Sequence, residues 1–321
     1  MTPENQTTTL DTDILSSLIV TNGLHTGAER TEFYRQVHTG RFTRVIRGVY
    51  MDSDAWARLD RHARYRVTTL AVGLRYEDAI FSHQSAGALW RLPWVGPWPT
   101  RPHVLTSPRT GGSSTRLVVR HTVGLPDKLE QIDGCTVTTL ARTVVDVATV
   151  ASFGQAVTIA DAALRRTKHP FTGLPFVDLT RDDLLKELVN AGVSHGRSKA
   201  RDAIEFSNGL ADRPGESMSR VSMRRTRLPM PELQVSLRGA SGRTWSVDFF
   251  WRHRKLIGEF DGQWKYTDPE FLAGRTPHQV LIDEKEREDD LRAAGNGMTR
   301  WGWKTAVSPT LLHAHLRSAG L

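Results

Sequence analysis

Short apolar clusters alternate with basic residues through the start of the chain. Residues 13–20 (DILSSLIV) carry apolar side chains at helical spacing. TNGLHTG reads as a turn, since Gly23 and Gly27 accept left-handed angles. ERTEFYRQVHT predicts a second helix over about 29–39 that stops at Gly40. In RFTRVIRGVYMD, Phe42, Val45, Ile46, Val49 and Tyr50 interleave with Arg41, Arg44 and Arg47, the pattern of a β-hairpin turning near Gly48. A helical stretch over about 53–76 follows, then a helix in FSHQSAGALWRLP closed by Pro93. HVLTS and TRLVVRH read as strands on either side of a Gly/Ser turn. CTVTTLARTVVDVATVAS begins as a strand and becomes a helix, FGQAVTIADAALRR is a second helix, and two more cover TRDDLLKELVNAG and about 196–207.

Short helix, turn, second helix and basic hairpin is the plan of a winged helix-turn-helix. The second helix of that plan enters the major groove and the hairpin touches phosphates. It singles out Arg30, Arg35, Arg41, Arg44 and Arg47 as nucleic-acid contacts. A small helical cap with a solvated basic face is the alternative. The expected architecture is α/β, α+β overall. A winged helix-turn-helix spans 1–60, a mixed α/β middle domain 61–210 and a third domain 211–321.

From Pro214 onward the text changes. PGESMSRVSMRRTRL predicts a helix with Glu216 in its first turn; PELQVSL, TWSVDFFW and KLIGEFDG predict strands; QVLIDEKEREDDLRAAG is a charged helix ended by Gly295; MTRWGWK is a strand and SPTLLHAHLRSAG a helix. The order is αβββαβα. Period-two alternation puts Val247 and Phe249 on one face with Asp248 on the other, and puts Ile257, Glu259 and Asp261 together. A carboxylate in a strand as apolar as the one around Asp248 costs several kcal/mol unless it is paired or binds a cation. Carboxylates crowded on neighbouring strands repel, and an oxygen-only set suits Mg²⁺ or Mn²⁺. Asp248, Glu259 and Asp261 are the expected metal ligands. The alternative is that Asp248 pairs with an arginine and Glu259 is an edge residue.

Composition narrows the partners. The chain has 321 residues and a net charge of +8, which favours a polyanion. Arginine outnumbers lysine, as suits phosphate and guanine edges, although a GC-rich genome produces the same bias. No apolar run is long enough for a bilayer, and the polar N-terminus lacks the features of a secretory signal. Cys135 is the only cysteine, which excludes an internal disulfide and a cysteine zinc cluster. A cytoplasmic location is therefore expected. His83 and His103 lack a paired ligand at short spacing and are expected to be structural, as are His313 and His315 on the terminal helix.

The stretches PGESMSR, VDFFW, GEFDGQWKY, EREDDLRAAG and TRWGW resemble the PD-(D/E)XK nuclease superfamily, nearest its very-short-patch-repair branch, over roughly the last third of the chain. The resemblance implies a restriction-endonuclease-like fold in which Asp248 and Glu259 bind metal and Glu216 assists or holds a second ion. Asp261 stands where many members carry a lysine, so Lys265 or Gln263 would have to fold back to orient water and stabilise charge. Arg287, Arg292 and Arg300 become candidate phosphate contacts, with a solvated helix face and strand edge as the alternative. VHTGRFTRVIRGVY, SHQSAGALWRLP, TTLARTVVDVA and DAALRR resemble AbiEi-type antitoxin or regulator proteins. The expectation is a DNA-binding, Mg²⁺-dependent endonuclease with Asp248, Glu259, Lys265 and Glu216 as catalytic residues. The alternatives are a transcriptional regulator or antitoxin with an inactive nuclease-like domain, and a nuclease acting on RNA or branched DNA. DNA is the expected partner, with a toxin and a second copy of the chain as the others this reading admits.

Overall fold

A computed structural model of the chain describes residues 16–23, 26–107, 113–165, 174, 177–193, 195–262 and 276–321. The chain is mixed α/β and divides into two compact units, Met1–Phe206 and Ser207–Leu321. The segments on either side of residue 60 both fall in the first unit. Among the described residues no helix is long and apolar enough to cross a membrane.

The first unit opens with β1 (Ile19–Val20), a 3₁₀ turn (Thr21–Gly23), α1 (Gly27–His38), β2 (Phe42–Ile46) and β3 (Val49–Asp52). The helix expected over 13–20 is corrected at its end. Ile19 and Val20 pair with Tyr50 and Val49 as a strand, the state β-branched residues favour once a partner edge exists; residues 13–15 lie outside the described residues. Thr26 and Glu29 start α1 with a reciprocal capping box. Phe33 is buried from this helix against the hairpin, with its ring 5.2 Å from Phe42 and 5.1 Å from Tyr50. The three strands form an antiparallel sheet ordered β1-β3-β2.

The helix expected over 53–76 is two: α2 (Ser53–Arg58) and α3 (Arg61–Gly73). Leu59 is extended, and the Asp60 carboxylate accepts from Ala63 N at 2.7 Å, so Asp60 starts a new helix. A five-stranded mixed sheet follows, ordered β6-β5-β4-β8-β7, from β4 (Ile80–Phe81), β5 (His103–Leu105), β6 (Val119–His121), β7 (Leu129–Ile132) and β8 (Cys135–Thr138). Every residue of α4 (His83–Leu89) is buried. Trp90 just beyond it donates to Thr138 O at 2.9 Å and ties the helix end to β8. The unit is completed by α5 (Leu140–Val150), α6 (Phe153–Arg165), α7 (Arg181–Asn190) and α8 (Arg197–Phe206).

In the second unit the element order expected from sequence is present, with one extra short helix: α9 (Pro214–Arg225), β9 (Glu232–Arg238), β10 (Thr244–Trp251), β11 (Leu256–Phe260), α10 (Pro277–Ala293), β12 (Gly297–Trp301), α11 (Trp303–Ala306) and α12 (Pro309–Ser318). The sheet runs β12-β11-β10-β9, antiparallel except for the parallel β11–β12 pair. Apolar clusters form two separate cores. Phe249, Trp251, Leu256, Phe260 and Trp301 pack with Met223 of α9 and with Leu312 and Leu316 of α12. Val247, Phe250, Ile257 and Met298 pack with Leu291 of α10.

Candidate functional site

The carboxylates meet at an irregularity in the sheet. Val247 and Phe249 belong to different cores, which corrects the expectation that they share a face. The same switch separates Leu233 from Val235 on β9. Gln234 between them has φ +48°, a left-handed angle that a non-glycine residue holds only when its surroundings impose it. Asp248 falls with it in the gap between the pairs Val247↔Val235 and Phe249↔Leu233, and is therefore released from the plain alternation of the strand. Its Oδ2 accepts from Phe260 N at 3.0 Å. The β10–β11 pairing Phe249↔Gly258, carried one step further, sets Asp248 across from Glu259.

Glu216 arrives from the other direction. A Cβ at Gly215 would come within 2.0 Å of the Phe260 ring, so only glycine lets the first turn of α9 lie this close to β11. Glu216 is buried; its Oε2 accepts from Asp212 N at 2.9 Å and from Gln234 Nε2 at 3.1 Å. Burial, and then the Asp248 charge, push its carboxyl up to about 8. Glu259 is also raised by burial, against the opposing pull of Arg287.

Arg287 of α10 donates from both Nη atoms to the two Glu259 oxygens, and from Nη2 to Ser246 O at 2.6 Å. Arg300 lies 3.7 Å from Glu259, 3.6 Å from Glu284 and 3.3 Å from Glu288. Arg292 donates to Glu288 at 2.9 Å and to Met298 O at 3.0 Å. Arg287, Arg292 and Arg300, read from sequence as phosphate contacts, are thus engaged inside the unit. Helical spacing was the available signal, because Glu284, Arg287, Glu288 and Leu291 lie on one face of α10.

Asp261 lies one residue past β11, where alternation no longer assigns a face. Its Oδ1 is buried without a hydrogen-bond partner. The carboxylate whose charge acts on both Glu216 and Glu259 is Asp248, although the ligand atoms of the three do not all lie within 4.8 Å. Lys265 and Gln263 lie outside the described residues.

The raised Glu216 carboxyl has a measurable consequence. The folded state holds this proton above pH 4.5, where the unfolded chain releases it. Stability of the metal-free protein should therefore fall as pH rises from about 5 to 8. Glu216→Gln keeps an acceptor for Asp212 N and should flatten that part of a melting-temperature profile in chelator-containing buffer. An unchanged profile would contradict the raised carboxyl.

In the first unit, Arg30, Arg35, Arg41, Arg44 and Arg47 are all exposed. Arg35 is committed to Glu32 by two 2.7 Å hydrogen bonds, and Arg41 lies over the Phe42 ring. His83 and His103, expected to be structural, stand instead with His121. Among the described residues this is the one group of three metal-ligating side chains whose ligand atoms all lie within 4.8 Å, and it could hold a metal ion. His315 has a structural partner, Thr299, at 2.8 Å.

No family model matches the chain, and no solved structure matches it. Two uncharacterized proteins of Mycobacterium tuberculosis, one from strain CDC 1551 / Oshkosh and one from strain H37Rv, are similar to it. Each is 30% identical over 190 residues. The alignment covers 56% of this chain and 66% of each relative, just under two thirds of their length.

Proposed function

We propose that the second unit is a Mg²⁺- or Mn²⁺-dependent nuclease-type domain of the PD-(D/E)XK kind, acting on DNA held by the first unit. The observation that carries the reading is the meeting of Glu216, Asp248 and Glu259 from α9, β10 and β11 at a break in strand alternation. The donor types suit a hard divalent cation, although the carboxylates' ligand atoms do not all lie within 4.8 Å of one another, so binding requires them to draw together. The set is all oxygen, it is desolvated enough to raise two carboxyls, and a buried Asp261 Oδ1 without a partner lies two residues beyond Glu259. Asp248 and Glu259 would hold the ion and Asp261 would support it. Bound there, the ion supplies an activated water and offsets charge on the phosphate. Glu216, carrying its proton near neutral pH, holds Asp212 and Gln234 in place and can pass a proton to a neighbouring oxygen.

The start of the first unit, up to residue 60, is read as a winged helix, with α1 as the major-groove helix and the β2–β3 hairpin as the wing. Exposure of Arg30, Arg41, Arg44 and Arg47 on those elements supports this reading. Arg44→Ala with Arg47→Ala should lower the slope of log affinity for duplex against log salt by about 1–2 units, as expected for losing one or two phosphate contacts. A slope unchanged by the pair would remove the wing from the interface.

A second reading has its own support. Arg287 and Arg300 neutralise Glu259 without any cation, as in a nuclease-like domain that binds DNA without cutting it, in a regulator or antitoxin with a toxin partner. The test is incubation of the purified chain with supercoiled plasmid and Mg²⁺ or Mn²⁺. Nicking that persists in both Asp248→Ala and Glu259→Gln belongs to a contaminant and ends the nuclease reading. Duplex binding without nicking favours the second.

A further inference from the structure

Three imidazoles come together in the first unit from segments far apart in the chain. β4 and β5 are antiparallel, with Ile80↔Leu105 and Phe81↔Val104. That register continues into a bond from Ser82 N to His103 O at 3.1 Å, which places His83 at the end of β5. β5 and β6 are parallel with Leu105↔His121, so His121 is the diagonal neighbour of His103, two residues along on the same face of the sheet. His121 Nε2 and His103 Nδ1 lie 3.0 Å apart. The His83 ring lies 3.7 Å from that of His121 and 5.9 Å from that of His103, centre to centre.

We propose that His83, His103 and His121 form a binding site for a zinc-like divalent cation, with a fourth position left for water or an anion. Zinc sites with three protein ligands and one open position are the catalytic type. Tetrahedral bonds of about 2.0–2.1 Å put ligand nitrogens about 3.4 Å apart. The 3.0 Å pair is already near that separation. The wider ones, within 4.8 Å, close by rotation of an imidazole about its outer torsion.

The surroundings suit ligation. Ser82 Oγ holds His83 Nδ1 at 2.9 Å, which leaves Nε2 as the ligand atom and orients the ring from outside the site. His83 is 2% exposed and has φ +49°, so its backbone is held in a left-handed conformation that the flanking strand and helix impose. The positive charge facing His83 is Arg142, which is itself paired with Asp146 at 2.7 Å. Arg101 acts on His103. Without a carboxylate ligand, a bound cation keeps its double charge, so the open position should attract an anion or lower the pKa of bound water.

The test uses the full chain stripped with chelator and titrated with Co²⁺ and Zn²⁺. Wild type should bind Co²⁺ with the strong visible absorption of four- or five-coordination and give it up to Zn²⁺. X-ray absorption of the zinc form should show imidazole scattering. His103→Ala and His121→Ala should weaken binding by at least ~100-fold, beyond what changes outside the ligand shell cost. Asp248→Ala with Glu259→Gln should leave this affinity unchanged. Affinity within twofold of wild type in His121→Ala, or a zinc spectrum without imidazole, overturns the site. If a histidine variant does not fold, the wild-type absorption edge decides alone.

Discussion

Asp248→Ala and Glu259→Gln are each expected to lower Mg²⁺-dependent plasmid nicking by about 10³-fold or more. A cation acting on a phosphoryl oxygen stabilises the transition state by several kcal/mol, and each ~1.4 kcal/mol is tenfold in rate. Glutamine is the better change at Glu259. It keeps an oxygen for Arg287, whereas alanine would leave a largely buried guanidinium unpaired, at a cost of about 3–5 kcal/mol. Both variants should bind duplex with the affinity of wild type, since the exposed arginines of α1 and the hairpin are untouched. Calorimetric titration with Mn²⁺ gives a readout independent of cutting, and the binding event at this site should disappear in both. Nicking by Asp248→Ala within tenfold of wild type would exclude the site. Arg287→Ala separates the two readings further. If the guanidinium only competes with a cation, Mn²⁺ affinity rises; if it is the permanent partner of Glu259, the second unit loses stability and gains no affinity.

Trp301→Ala is expected to cost the second unit about 3–5 kcal/mol, a large share of the ~5–15 kcal/mol a domain has. Trp301 is 3% exposed, stacks on Phe249 at 5.3 Å, and donates to Ser219 Oγ at 2.8 Å. It stands across from Phe260 on the parallel β11–β12 pair, beside the residue whose backbone N–H holds Asp248. Thermal or denaturant melting reads the loss directly. Trp301→Phe should lose less, because it keeps the stacking and gives up only the Ser219 bond and part of the ring volume. Gly258→Ala is a linked case. Its Cβ would come within 2.6 Å of the Trp301 ring, an overpacking worth about 1–3 kcal/mol. Trp301→Ala removes the nearer of two rings, Trp251 staying within 2.9 Å of that Cβ, so the double variant should still be less destabilised than the sum of the two changes. Strict additivity would mean that the glycine is not there to admit the indole.

Local pattern in the chain was enough to place most elements. Capping residues and periodicity located α1, α7, α9 and α10. Alternating apolar residues located β9, β10 and β11. An acidic residue inside TWSVDFFW, followed by GEFDG, was enough to nominate Asp248 and Glu259. These signals act over a few residues, so they survive without knowledge of the fold. The partners of the nominated side chains depended on contacts between distant segments. No local signal predicts that Gln234 adopts a left-handed angle, that the switch moves Asp248 out of simple alternation, or that Arg287 reaches Glu259. Nor does one predict that a parallel β5–β6 pair carries His121 to His83 and His103. Propensity concerns a residue and its chain neighbours; desolvation, charge pairing and the convergence of ligands concern whatever the sheet register brings alongside, and only the packed chain decides that.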